Sequence, residues 1–296
     1  MVLSKSTAAY GFVLVCAAAG AIFWLLRPDL VIETPALVLL FVVVVSSVAL
    51  MCGGQWYVHS RFPERHFVGH NEVGGFIIAI AGSLYGVVLG FLTVAAWQHF
   101  TEARQLVAQE SAAAADTWHM AVGLPAAVRT RVRYDMVRYS NRIVSNEWPL
   151  MRHGGFDKEC DVLIMDAISA AGTFRPKDLL ASNAQNATLQ QLGVLHDVRQ
   201  RRLSENGGAI VPFEWFVLIL GAICVTCFCW LFGVANKNVH LLMTASVTII
   251  IASTLVLLFE LQYPFRTSLR IGPDDWIAEI HHIELMQNGA QMDMRM

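Results

Sequence analysis

From Val73 to Gln98 the chain carries no charged side chain, and then runs through His99, Glu102 and Arg104 with no Gly or Pro at the junction. A run of that length exceeds the roughly 20 apolar residues needed to cross a bilayer as a helix. A backbone in hydrocarbon must satisfy its own hydrogen bonds, so the run can fold only as a helix or as part of a closed barrel. Strand alternation is absent from it, which leaves the helix. Four other apolar runs accompany it, giving five expected spans at about 8–26, 35–53, 73–97, 211–234 and 241–261. With 55% apolar and only 15% charged residues, the chain is too apolar for a soluble domain of its size. The expected fold class is therefore all-α: a polytopic helical membrane protein. The expected organisation is three spans in 1–97, a helical cytoplasmic domain in 98–210, a transmembrane hairpin in 211–261 and a cytoplasmic tail in 262–296.

Lys and Arg placement sets the orientation. Of the 21 such residues, all but Lys5, Arg61, Arg65 and Lys237 fall in 27–34, 98–210 and 262–296. Those segments are expected to be cytoplasmic. Lys5 ahead of the first apolar run also fits a cleaved signal peptide, but the second span would then run against the charge asymmetry. A net charge of −2 gives no reason to expect a nucleic-acid partner.

The third span carries Gly82, Gly86 and Gly90 along one helix row. Lipid supplies little hydrophobic drive between helices, so small residues matter by letting backbones approach. The row is a contact face, either within the chain or between copies of it. Ser83, Val87 and Phe91 follow one residue on, about 100° around the helix. Were the glycines to pack helix against helix around an axis, that second row would line a narrow, mostly apolar throat, which gates by excluding water. Glu72, at the start of the span, would then form an acidic ring at the outer mouth.

Between the third and fourth spans the sequence reads as helices. Val128, Val132, Met136, Tyr139 and Ile143 are spaced for one buried helix face. Arg129, Arg131, Arg133, Arg138 and Arg142 share that helix and read as a solvated or leaflet-facing basic surface in preference to an anion site. Pro125 ends or bends the preceding helix, and Pro212 suits the first turn of the fourth span. Asn71 suits an N-cap. Glu214 and Glu260 lie near the cytoplasmic ends of the last two spans, and Arg266 is a candidate partner for Glu260.

Other clusters have ordinary readings. His59, His66 and His70 read as interfacial histidines rather than a metal site. Cys224, Cys227 and Cys229 lie mid-membrane and read as packing residues. His281, His282 and Glu284 read as a solvated helix. No cofactor or metal is expected. No nucleotide loop, nucleophile elbow or zinc motif is present, so an enzyme is not expected. A transporter is disfavoured by the lack of an inverted repeat.

Val88-Leu89-Gly90-Phe91, followed by Thr93, Trp97 and Glu102, resembles the pore-lining helix of bestrophins. Pro264-Phe265 resembles the segment after their last membrane helix, although Tyr263 precedes it where a more polar residue is usual. With Glu147-Trp148-Pro149 and Arg199 to Arg202, the pattern from about 35 to 275 is similar to the bacterial bestrophin-like family of uncharacterised domains. That resemblance implies a homo-oligomeric ion channel, most simply a pentamer with its pore on the symmetry axis. Bestrophins mostly pass anions and some bacterial relatives pass monovalent cations. The implied partners are further copies of the chain, membrane lipids and small inorganic ions. Residues 266–275 hold only Asp274 and Asp275 as acids, which argues against a calcium clasp. Ser83 is more polar than the corresponding bestrophin neck position, and the first span is extra. The rival expectation is a non-conducting membrane scaffold or sensor that binds a partner through its cytoplasmic helices.

Overall fold

A computed structural model describes residues 34–62 and 71–293, together with 32 and 69. The expected first span, His66 and His70 lie outside the described residues. The described residues form helices and connecting turns with no strand among them. The chain divides into two units, one of residues 1–98, 208–262 and 267–269 and one of residues 99–207, 263–266 and 270–296.

Four described helices are long and apolar enough to cross a membrane. They are α1 (Ala36–Arg61), α2 (Asn71–Met120), α7 (Pro212–Phe228, prolonged by the 3-10 turn Cys229–Leu231) and α8 (Lys237–Gln262). The first unit holds α1, α7, α8 and the start of α2. Its most extensive helix pair is α1 with α8. Close approach depends on glycine at two places. A Cβ on Gly54 would land on the indole of Trp230, and one on Gly221 would land on the ring of Tyr85. The Tyr85 hydroxyl then donates to the Leu218 carbonyl at 3.1 Å, tying α2 to α7.

The helix starts are set by side chains. Pro212 opens α7, where its missing N–H costs nothing. Glu214 reaches back to accept the Val211 N–H at 3.1 Å, so its carboxylate serves as half of a capping box. Asn236 caps α8 by accepting from Asn238 N at 3.1 Å and Val239 N at 3.3 Å. Asn71, expected as an N-cap, has a different role. Its amide donates to the Gly233 carbonyl at 2.7 Å and accepts from the Gly233 N–H at 3.0 Å, fastening the α7–α8 connection to the start of α2.

The second unit contains the rest of α2, a 3-10 turn (Ala121–Gly123), α3 (Ala126–Arg142), α4 (Trp148–Met151), α5 (Lys158–Thr173), α6 (Leu179–Ser204) and α9 (Asp274–Asp293). Asp157 and Asp178 cap α5 and α6, each carboxylate accepting a backbone N–H in the first turn. Val132, Met136, Tyr139 and Ile143 are fully buried, so the apolar spacing of α3 is its core face. A π-helical turn, Ile143–Glu147, joins α3 to α4. Pro149 has no N–H to offer the Ser145 carbonyl, and the widened turn absorbs that loss.

Candidate functional site

The third-span residues singled out in the sequence lie on one exposed stretch of α2. Nothing lies within 4 Å of a Cβ built on Gly82, Gly86 or Gly90, so within the described protomer these glycines adjoin open space. This separates them from Gly54 and Gly221, whose missing side chains admit an aromatic ring of the same chain. On the next row Ser83 is exposed, Val87 is 55% exposed and Phe91 72% exposed. Glu72 is exposed in the first turn of α2. The apolar window of α2 is 6% buried, against 17%, 17% and 28% for α1, α7 and α8. Of the four apolar helices, α2 is the one that the described residues cover least.

Farther along, the same helix is gripped by charge. Glu110 on α2 is fully buried, as are Glu147 in the π turn and Arg199 and Arg202 on α6. Arg202 grips Glu110 through Nε and Nη2, gives Nη2 to Glu147 at 2.5 Å, and lies over the Trp148 ring. Arg199 donates to the other Glu147 oxygen at 2.6 Å, to the Asp157 carbonyl at 2.9 Å and to Asp161. The Tyr139 hydroxyl completes the set by donating to Glu110 at 2.5 Å. Burial alone would push the Glu147 carboxyl up, but Arg202 and Arg199 override it and hold it below the usual glutamate range. Burial pushes the Tyr139 phenol well above its ordinary value, reinforced by Glu110. Each Arg is held charged by its carboxylates against the opposing effect of burial. The sequence pattern had drawn attention to Glu147 and to Arg199–Arg202, but not to Glu110 or to their meeting. The available signal was a carboxylate on the apolar face of α2, between Leu106-Val107 and Ala113-Ala114.

The arginines of α3 are not a free basic surface. Arg131 pairs with Asp135 at 2.9 Å and Asp166 at 3.1 Å. Arg138 pairs with Glu159 at 3.1 Å, and Arg142 with Asp157 at 2.5 Å and Glu159 at 2.8 Å. Arg133 stacks over the Trp118 ring at 3.9 Å, and Arg129 donates to the Val122 carbonyl at 3.3 Å. The acids of α5 and its cap neutralise most of this face. Desolvation raises the buried Asp135 carboxyl despite its Arg131 partner.

Glu260 and Arg266 each take other partners. Glu260 accepts from the Ser268 hydroxyl at 3.1 Å and the Leu269 N–H at 3.2 Å, while Ser268 receives the Ala36 N–H at 2.7 Å. Arg266 donates to Asn206 at 3.3 Å and lies over the Tyr263 ring. His59 bonds the Trp230 carbonyl and meets His240 edge to face at 5.1 Å. Cys224, Cys227 and Cys229 are free thiols. Asp274 and Asp275 occupy the exposed first turn of α9. Among the described residues no group of three or more His, Cys, Asp or Glu is placed to hold a metal ion.

Four apolar membrane-length helices, one of them prolonged into a charged helical unit, define an integral membrane protein. The Bestrophin-like domain model matches residues 36–275, and the chain belongs to that family. Two crystal structures of variants of a bacterial bestrophin homologue from Klebsiella pneumoniae share the fold. They superimpose with TM-scores of 0.60 and 0.58 at 15% and 16% identity, covering 83% and 84% of this chain and 99% and 98% of those chains. A third crystal structure, described as a membrane protein, gives 0.59 at 15% identity over 81% of this chain and 96% of its own. No curated protein matches the sequence.

Proposed function

We propose that the chain is the subunit of a homo-oligomeric ion channel, with five copies arranged around a pore lined by α2. The observation that carries this is the uncovered apolar window of α2, 6% buried, bearing three glycines with open space beside them. In a membrane such a surface is covered by lipid or by another helix. A side-chain-free row at four-residue spacing favours the helix. With the glycines at the contact, Ser83, Val87 and Phe91 face the axis and form the hydrophobic neck, and Glu72 rings the outer mouth. Residues 1–97 then supply three spans, 98–210 a cytoplasmic domain, 211–261 the hairpin and 262–296 a cytoplasmic tail. The membrane is the bacterial inner membrane. Bestrophin-like proteins are channels, and no enzymatic activity is proposed.

Reconstitution of the purified chain into planar bilayers tests this reading. The wild type conducts, and Phe91→Ala, which removes the bulkiest neck side chain, raises conductance or open time severalfold. A folded oligomer that passes no current defeats the proposal. If such an oligomer instead captured a partner through residues 126–148, a scaffold or sensor would replace it.

A further inference from the structure

We infer that the ion path continues along α2 far beyond the neck, and that Asp116 forms a ring in it that selects cations. This rests on the channel reading above. At 100° per residue, the azimuth of Phe91 recurs within about 20° at four positions between 92 and 119. Those positions hold Gln98, Glu102, Gln109 and Asp116, and all four are exposed. The rest of the helix circumference there is mostly core: Ala103, Leu106, Val107, Ala113, Ala114 and Trp118 are buried. The neck row therefore passes into a polar strip, about 37 Å long from Phe91 to Asp116 at 1.5 Å per residue. It carries two carboxylates and two amides and no base, while Arg104 lies about 140° away.

The two carboxylates differ. Glu102 is offset by Arg201, whose Nη2 lies 3.0 Å from it. Asp116 takes no ion pair among the described residues. In an assembly of several copies it is the uncompensated charge of the strip, repeated once per subunit. Rings of acidic side chains favour cations, and a confined channel concentrates their field. Three of the five arginines of the basic face that would have argued for anions are already offset by Asp157, Glu159 and Asp166.

The test is the reversal potential of the reconstituted full-length protein in a steep KCl gradient, read as the permeability ratio of potassium to chloride. The wild type favours potassium. Asp116→Asn lowers the ratio about threefold or more while current persists, and Asp116→Lys inverts it. Arg201→Gln moves it the other way, because it releases Glu102 as a second charged ring. Both substituted positions are exposed, so the fold is not at risk. A ratio unchanged in both Asp116 variants, or a wild type that already favours chloride, overturns the inference and leaves the channel reading standing. A wild type without current overturns both.

Discussion

Two stretches of the single helix α2 obey opposite rules. Between Gly82 and Phe91 one face, with Tyr85 and Leu89, packs on its own chain, while the glycines and Ser83, Val87 and Phe91 adjoin open space among the described residues. Around Glu110 one side of the helix is buried in the core, and the buried carboxylate is matched by Arg202 and Tyr139. The second stretch is finished within one protomer. The first is left uncovered by the described residues of the protomer. Stability and assembly should therefore separate along this one element, and mutations can be chosen to act on each alone.

The largest effect is expected in the enclosed stretch. Arg202→Met leaves the buried Glu110 with no cationic partner and Glu147 with Arg199 alone, and should destabilise the second unit by about 3–5 kcal/mol. Thermal melts of the full chain followed by circular dichroism would show it. A melting temperature within a degree or two of the wild type would mean that the network is not what holds α2 there.

Next comes a pair of glycine variants. Gly221→Leu drives a side chain into the Tyr85 ring and should cost about 1–3 kcal/mol of protomer stability. Gly86→Leu meets open space within the chain, so the protomer should fold normally while the assembly loses subunits. Mass determination in detergent separates the two. Intact oligomers of Gly86→Leu would move the contact face off the glycine row.

The smallest effect is a pH dependence confined to the enclosed stretch. Glu147 titrates below its unfolded value of 4.5, so its contribution is complete above that pH and is lost as the pH falls through the lowered value. Asp135 has the opposite sign. Its raised value favours the folded state at low pH, and that gain fades as the pH rises past 3.8. Acid titration of the wild type beside Glu147→Gln should show a shallower loss in the variant, and identical curves would remove Glu147 from the account.

The parts of this molecule that could be read in sequence are those governed by near neighbours. Apolar runs and their charge-free length give the membrane helices. The spacing of Val132, Met136, Tyr139 and Ile143 gives the core face of α3, and Pro212 marks the start of α7. What could not be read depends on partners distant along the chain. The arginines of α3 look free because Asp157, Glu159 and Asp166 come from the next helix and its cap. Glu110 and Arg202 meet across 92 residues. Arg266 stood nearest to Glu260 among the bases, yet Ser268 and a backbone N–H serve that carboxylate. Proximity in sequence identifies candidates, but hydrogen-bond geometry selects among them.

The π turn at Ile143–Glu147 has a consequence for how this chain can vary. It holds one residue more than a regular helix would, and that surplus aims Glu147 inward at both buried arginines. Removing one residue there would restore an ordinary α-helical register and swing the carboxylate by about 100°. Two guanidinium groups would then share too little negative charge in a dry interior. Length changes should accordingly be tolerated in the connection between α5 and α6, and not in these five positions, although both are short segments between helices.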